Sequence, residues 1–135
     1  MPRNDIASER GGARFGAGIV VFAHGSRVEA ANEAVRAVAR GLACAGEFER
    51  VEAAFLELGR PDLPEAVARL AGAGVKRVVV VPYFLTMGLH LERDLPRIVD
   101  DISRLHPDLE VQVTPPLDGH PGLVQVLLDR ARAAG

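Results

Sequence analysis

The sequence predicts an α/β protein with an open, parallel four-stranded sheet and helices on both faces. Four short apolar runs alternate with four segments whose apolar residues recur at helical spacing. The third run contains four consecutive valines, Val78 to Val81, a composition typical of a strand that is buried on both faces. Regular alternation of strands and helices favours a parallel sheet joined by right-handed crossovers.

Each predicted strand is an apolar run that ends in a polar turn. The predicted strands cover residues 18–23, 51–58, 77–85 and 110–114, and the predicted helices cover residues 29–45, 62–73, 96–105 and 121–134. The second helix opens with Asp62 three residues before Glu65, a spacing typical of a capping box. The third helix is predicted to begin at Pro96, because proline is favoured in the first helical turn.

Length and composition exclude several classes of protein. The 135 residues suffice for one domain with its own core, so we assign residues 17–135 to a single domain and residues 1–16 to a mobile tail. The net charge of −2 offers no basic surplus for nucleic acid or an acidic membrane. No apolar run has the length of a membrane span, which makes the cytoplasm the simplest location. The single cysteine, Cys44, excludes an intramolecular disulfide and is expected to be a small buried residue of the first helix.

Most of the reactive side chains follow the predicted strands. His24 follows the first strand, Glu57 lies at the end of the second, His90 comes after the third and His120 after the fourth. Ligands of open parallel sheets bind beyond the carboxyl ends of the strands. We therefore expect these side chains to share one rim of the sheet.

Each of these residues also has an ordinary structural interpretation. The segment His24-Gly25-Ser26 could be a tight turn or an anion-binding loop. Glu57 could cap the next helix or pair with Arg60, and His90 could be a loop histidine bonded to a backbone carbonyl. His120 could be a helix residue without chemistry.

Two neutral imidazoles and a carboxylate suit a borderline divalent ion such as Co²⁺, Ni²⁺, Fe²⁺ or Zn²⁺. Imidazole can also accept a proton near neutral pH. The sequence contains no HExxH or CxxC framework, so a closed structural zinc site is not expected. An open site with few protein ligands predicts a metal ion that is bound and then released.

Four segments carry a family resemblance. They are His24-Gly25-Ser26-Arg27, Phe55 to Pro61, Val81 to Pro96 and, more loosely, Pro116 to Pro121. Through them the chain resembles the short-form sirohydrochlorin chelatases, the class II chelatases of the sirohaem and cobalamin pathways. The resemblance extends over nearly everything from residue 18 onward.

The resemblance implies a chelatase-like fold and the insertion of a divalent metal ion (Co²⁺, Fe²⁺ or Ni²⁺) into sirohydrochlorin without ATP or an organic cofactor. It also implies a homodimer. The metal-binding and proton-accepting histidines of the family correspond to His24 and His90, and its acidic helper corresponds to Glu57. On this hypothesis a histidine freed by the departing metal takes up a pyrrole proton, and Glu57 orients it or relays the second proton.

Sirohydrochlorin carries many carboxylates, so cationic groups are expected at the rim of its site. Arg27, Arg60 and Arg93 are candidates for this role, although they could also be ordinary surface arginines. We further assign Ser26 and Gly88 to tetrapyrrole binding. Gly25 and Gly88 would keep their loops slim enough for a flat ring to approach.

Two other functions account for part of the pattern. A strand-end histidine with nearby arginines could serve phosphoryl transfer, but the chain lacks a glycine-rich phosphate loop with lysine. A non-catalytic carrier of metal or tetrapyrrole, or a chelatase-like subunit, would use the same histidines without turnover.

Overall fold

The computed structural model describes residues 17–48 and 50–135. Four strands and four helices alternate along this part of the chain. They are β1 (Ala17–Ala23), α1 (Glu29–Ala45), β2 (Arg50–Phe55), α2 (Leu63–Gly72), β3 (Arg77–Pro82), α3 (Gly88–Leu105), β4 (Glu110–Val113) and α4 (Gly122–Ala133). The predicted order of elements is therefore confirmed.

The four strands form one parallel sheet in the order β2-β1-β3-β4. The chain moves from β1 to one neighbour, β2, and then crosses to the other neighbour, β3. The carboxyl ends of β1 and β3 consequently flank a topological switch point, where the two connections leave in opposite directions and open a crevice. This crevice is the place at which an open parallel sheet binds its ligand.

Side chains of β1 alternate between two cores because successive residues of a strand point to opposite faces. Val20 and Phe22 belong to the larger core with α2 and α3, whereas Val21 and Ala23 pack in a smaller core with α1. Helices thus cover both faces, as predicted. Helix α4 differs from the others in having no buried residue.

Helix α3 begins eight residues earlier than the sequence predicted. The prediction placed its start at Pro96 and treated the preceding residues as strand and loop, but β3 ends at Pro82 and α3 begins at Gly88. Pro96 lies inside the helix. The apolar face continues on both sides of the proline through Leu91 and Leu95 to Ile102, all of them buried. Packing of this face outweighs the hydrogen bond that an internal proline removes.

The sequence signals at the ends of the first two helices predicted the bounds of α1 and the capped start of α2. Helix α1 covers the predicted residues, and the Asp62 capping box opens α2, with Asp62 Oδ1 accepting from the Glu65 amide at 2.9 Å. The hypothesis for Cys44 was wrong, because its thiol is exposed. Cys44 is the last residue but one of α1 and points away from the side of the helix that buries Ala39.

The predicted tail, residues 1–16, lies outside the described residues. The assignment of everything from residue 17 onward to a single domain stays a prediction. None of the helices in the described part of the chain is long and apolar enough to cross a membrane.

Candidate active site

His24 and His90 line one cavity of about 260 Å³. His24 directly follows β1, and His90 is the third residue of α3, the helix that follows β3. The cavity therefore lies at the switch point between the carboxyl ends of β1 and β3. The fold brings together two imidazoles that are separated by 66 positions in the sequence.

Glu57 lies beside the first of these imidazoles. Its Oε2 is 3.5 Å from His24 Nε2, and both side chains are 57% exposed. His24 Nδ1 is 3.3 Å from the backbone oxygen of Gly25. When Nδ1 carries the hydrogen, Nε2 keeps a free lone pair next to the carboxylate. That nitrogen can bind a metal ion or accept a proton, and the carboxylate stabilises the imidazolium that results.

The loops that carry His24 and Glu57 run side by side. The backbone amide of Glu57 donates to the carbonyl of His24 at 3.0 Å, and the amide of Leu56 donates to that of Ala23 at 2.9 Å. Gly25 has a φ of +98°, and a Cβ at this position would lie 1.7 Å from the carbonyl oxygen of Glu57. Glycine is therefore required here both by the backbone conformation and by the close approach of the second loop.

Asn32, a residue of α1, forms hydrogen bonds with both of these loops. It was not among the predicted site residues. It is 2% exposed, and its side chain bonds to the backbone of Ser26 and of Leu58. Nearby, the Arg36 guanidinium and then the Asn32 amide hold the pKa of Glu29 below its ordinary value, so Glu29 stays an anionic acceptor. A polar residue in the first turns of an amphipathic helix is an ordinary feature, and no local signal distinguishes Asn32 from a solvent-facing asparagine.

Because α3 begins at Gly88, the residues after His90 are helical and the predicted loop is replaced by a helix face. Asp94 lies one turn beyond His90 and lines the same cavity. Neither the side chain of His90 nor that of Asp94 has a hydrogen bond or ion pair within the part of the chain that the structure describes. A carboxylate at this spacing can accept a hydrogen bond from the imidazole, and it was missed because the boundary of α3 was misplaced.

The rest of the cavity wall is mostly apolar, formed by Leu56, Phe84, Met87, Leu89 and Leu91, with Gly88 at its edge. Leu89 is 79% exposed. An exposed leucine beside a histidine offers apolar surface to a flat ligand. The cavity is smaller than the roughly 300–1,000 Å³ of pockets that enclose drug-sized ligands, so a tetrapyrrole would have to lie across its mouth.

Few protein ligands are available to a metal ion in this cavity. Over residues 17–48 and 50–135, no three His, Cys, Asp or Glu side chains are close enough together to hold one jointly. Structural metal sites are closed by about four protein ligands, whereas exchange of a metal ion needs open positions. The described residues of this cavity therefore do not form a closed structural metal site.

Of the five predicted substrate-binding residues, only Gly88 lines the cavity of His24 and His90. Gly88 is in the cavity wall, with a φ of +73°. Ser26 follows the His24 turn, where its Oγ accepts from the Val28 amide at 3.0 Å. Arg27 and Arg93 are exposed, and their side chains have no ion pair or hydrogen bond within the described residues.

Arg60 lies on a different surface. Its guanidinium donates to Glu65 at 2.7 Å, and the residue lines a separate groove of about 290 Å³ beside β2, with Arg36, Arg40 and Arg69. Glu57 therefore does not pair with Arg60, and the cap of α2 is Asp62. The role of Arg60 in tetrapyrrole binding stays a prediction.

His120 does not line the cavity of His24 and His90. Its Nδ1 accepts from the Gly122 amide at 2.9 Å, at the start of α4. The imidazole thus satisfies one of the free amides of a helix N-terminus. This contact agrees with the structural interpretation of His120.

Two named proteins are similar in sequence to most of this chain. The sirohydrochlorin cobaltochelatase of Methanopyrus kandleri is 32% identical over 136 aligned positions, which cover 86% of this chain and 95% of that protein. The chloroplastic sirohydrochlorin ferrochelatase of Arabidopsis thaliana is 32% identical over 113 positions, which cover 84% of this chain and 50% of that protein.

Solved structures show the same fold. A CbiX protein from Marinobacter aquaeolei superposes with a TM-score of 0.77 at 28% identity, covering 87% of this chain and 96% of that one. The sirohydrochlorin chelatase SirB from Bacillus subtilis, solved with cobalt, superposes with a TM-score of 0.80 at 23% identity, covering 87% of this chain and 50% of that one. The family model of CbiX matches residues 18–134, and the chain therefore belongs to the CbiX family.

Proposed function

We propose that this chain is a sirohydrochlorin chelatase, which inserts a divalent metal ion into the tetrapyrrole without ATP or an organic cofactor. The observation that carries the proposal is the single cavity lined by both His24 and His90, with Glu57 next to His24. Membership of the CbiX family, and relatives named for cobalt and for iron, support the same reaction. The metal is Co²⁺, Fe²⁺ or Ni²⁺, since imidazole ligands suit all three.

Insertion replaces two pyrrole N–H protons by one metal ion, so the site has to release a cation and accept two protons. His24 and His90 hold the ion through one nitrogen each, on one face of the ring. As the ion passes to the pyrrole nitrogens, both imidazoles regain a lone pair and each can accept one proton. Glu57, 3.5 Å from His24 Nε2, stabilises the imidazolium form of His24.

The ring lies across the mouth of the cavity, against the exposed face of Leu89. Arg27 and Arg93, both exposed and without an ion partner among the described residues, are placed in this proposal to pair with the ring carboxylates. Ser26 and Gly88 leave room for the ring, and Arg60 contributes from outside the cavity.

The test is an anaerobic insertion assay with sirohydrochlorin and each of Co²⁺, Fe²⁺ and Ni²⁺, followed by absorbance. We expect insertion faster than in a protein-free control, with loss of the enhancement in His24→Ala and His90→Ala. His106→Ala is the matched control, because His106 follows the end of α3, about 24 Å along the helix axis from His90. Tetrapyrrole binding without faster insertion would indicate a carrier, and normal turnover by His90→Ala would refute the mechanism.

We also propose that the chain forms a homodimer through α4. No residue of α4 is buried, and Val124, Leu127 and Leu128 form an exposed apolar stripe at helical spacing. The chain aligns with half the length of the Arabidopsis relative, so a second copy would supply a unit of comparable size in trans. An unpaired apolar stripe of this kind is typical of a subunit interface.

Two substitutions of the same chemistry test the dimer. Val124 lies in the stripe and is 68% exposed, while Val126 lies on the opposite side of α4 and is 53% exposed. We expect Val124→Glu to give a monomer in light scattering and Val126→Glu to leave the dimer unchanged. A wild-type monomer at micromolar concentration, or equal behaviour of the two variants, would exclude α4 as the interface.

A cytoplasmic location is the remaining part of the proposal. The exposed, unpaired thiol of Cys44 is usual for a reducing compartment. Cell fractionation tests this directly.

A further inference from the structure

We propose that Asn32 is a positioning residue for metal insertion, which holds the loop of His24 and the loop of Glu57 in register. The inference rests on the proposed function. Asn32 lies at the start of α1 and is 2% exposed, the one polar residue in the buried class over residues 17–48 and 50–135. A buried carboxamide is retained where its hydrogen bonds are satisfied, and here all of its partners lie at or beside the candidate site.

The partners of Asn32 determine the orientation of its amide. Oδ1 accepts from the Ser26 backbone amide at 2.9 Å, which only an oxygen can do. Nδ2 donates to the backbone oxygens of Ser26 and of Leu58, both at 2.9 Å, and lies 3.2 Å from Glu29 Oε1. One side chain therefore bonds to the residue two positions after His24 and to the residue directly after Glu57.

The second loop needs this support because its backbone is strained. Leu58 has a φ of +59°, a left-handed conformation that non-glycine residues rarely adopt. Asn32 bonds to the carbonyl of that same residue. One turn further along α1, Arg36 donates to the carbonyl of Arg60 at 3.0 Å, so α1 holds the loop at two points.

The consequence for function is geometric. Glu57 Oε2 and His24 Nε2 are 3.5 Å apart, although each belongs to a different loop and both side chains are exposed. Side-chain packing alone does not fix such a pair. We infer that the Asn32 carboxamide sets the distance between the two loops, and through it the distance between the imidazole and its carboxylate.

Two variants of Asn32 test the inference in the full-length protein. Asn32→Ala removes every bond, and Asn32→Asp keeps the volume and the acceptor but loses both donors to the carbonyls. We expect each to lower kcat by at least about tenfold, since displacements near 1 Å at a reacting pair have effects of this size or larger. The KM for sirohydrochlorin should change by less than about threefold, because the ring surface around Leu89 is untouched.

Ala39→Gly is the matched control for general loosening of α1. Ala39 is on the same helix, is 4% exposed, belongs to the smaller core and has no side-chain group that can form a hydrogen bond with either loop. It should lower the melting temperature without lowering kcat at a temperature well below unfolding. If Ala39→Gly and Asn32→Ala reduce kcat equally, the role of Asn32 is general stability and the inference is wrong.

A double-mutant cycle separates positioning from structure. If Asn32 acts through Glu57, Asn32→Ala should cost at least about tenfold in kcat in the wild-type background but less than about threefold in a Glu57→Gln background. Equal costs in the two backgrounds would overturn the inference.

A readout without turnover distinguishes failure of this inference from failure of the proposed function. The Glu57 amide bonds to the His24 carbonyl across the two loops, whereas the Leu56 amide bonds to the Ala23 carbonyl at the end of the sheet. In Asn32→Ala, hydrogen exchange should accelerate at the Glu57 amide and stay unchanged at the Leu56 amide. Unchanged exchange at both refutes the clamp even if the enzyme is active, and the expected pattern supports it even if sirohydrochlorin is not the substrate.

Discussion

The substitution Gly25→Ala tests whether the close approach of the two loops determines both stability and chemistry. Two costs are expected. An alanine at a φ of +98° is held in a left-handed backbone conformation, which costs roughly 1–2 kcal/mol of stability. Its Cβ would also lie 1.7 Å from the Glu57 carbonyl oxygen, a separation that has to open to at least 3.0 Å. The backbone of the second loop must therefore move by more than about 1 Å, an overpacking cost of roughly 1–3 kcal/mol in addition.

The same movement should separate Glu57 from His24. Their 3.5 Å contact cannot persist unless both side chains readjust, and a displacement near 1 Å lowers turnover by roughly 100-fold. Gly74→Ala is the matched control, with a φ of +94° and nothing within 4 Å of the added Cβ. It carries the backbone penalty without the clash and lies in the turn between α2 and β3.

The assay pairs urea unfolding with the insertion rate of each variant. We expect Gly74→Ala to lose roughly 1–2 kcal/mol of stability and keep its rate. Gly25→Ala should lose at least about 1 kcal/mol more and most of its activity. Equal stability losses and equal rates in the two variants would show that the loop contact is not what requires glycine at position 25.

Four further changes have defined outcomes. Asp94→Asn should lower kcat about 10–100-fold if the carboxylate orients His90, while Asp100→Asn on the same helix should leave kcat unchanged. An equal loss of kcat in both variants would indicate a general effect of charge. Met87→His would place a third imidazole in the cavity wall, so we expect tighter Co²⁺ binding in calorimetry together with slower insertion. An unchanged Co²⁺ affinity would contradict the placement of the metal ion in this cavity. Asp62→Ala should cost about 1 kcal/mol in urea unfolding by removing the α2 cap. The Asp62 amide and then the Arg60 guanidinium hold the pKa of Glu65 below its ordinary value, so the folded state binds fewer protons than the unfolded state. This contribution is present above the ordinary pKa of Glu65 and lost as pH falls through the folded value, and Glu65→Gln should flatten the acid side of the stability profile.

The sequence was most informative where the signal is local. The bounds of α1 and the Asp62 capping box depend on residues within one helix, and both agree with the structure. The placement of His24 and His90 at one rim follows from a topological rule for parallel sheets, so it could also be reached without coordinates.

The features that the sequence did not predict depend on tertiary contacts. Pro96 marks a helix start in local statistics, and only the packing of Leu91 and Leu95 against the sheet shows that the helix has already begun. Asp94 became a site residue only through that correction. Asn32 bonds to Leu58, 26 positions away, and no periodicity in the sequence reports such a contact.

The proposed mechanism requires one cavity both to bind a metal ion and to release it. Two imidazoles bind a borderline ion less tightly than the closed ligand sets of structural sites, and over the described residues no group of three His, Cys, Asp or Glu side chains could hold one. The tetrapyrrole has four nitrogens, so an ion that moves from two imidazoles into the ring ends with more nitrogen ligands. In the proposed mechanism, the two imidazoles accept the ring protons after the metal ion has left them, and Glu57, 3.5 Å from His24 Nε2, balances the positive charge of His24. On this proposal a small number of protein ligands favours release of the metal ion, and the loops of His24 and Glu57 are held together by the close contact at Gly25 and by the hydrogen bonds of Asn32.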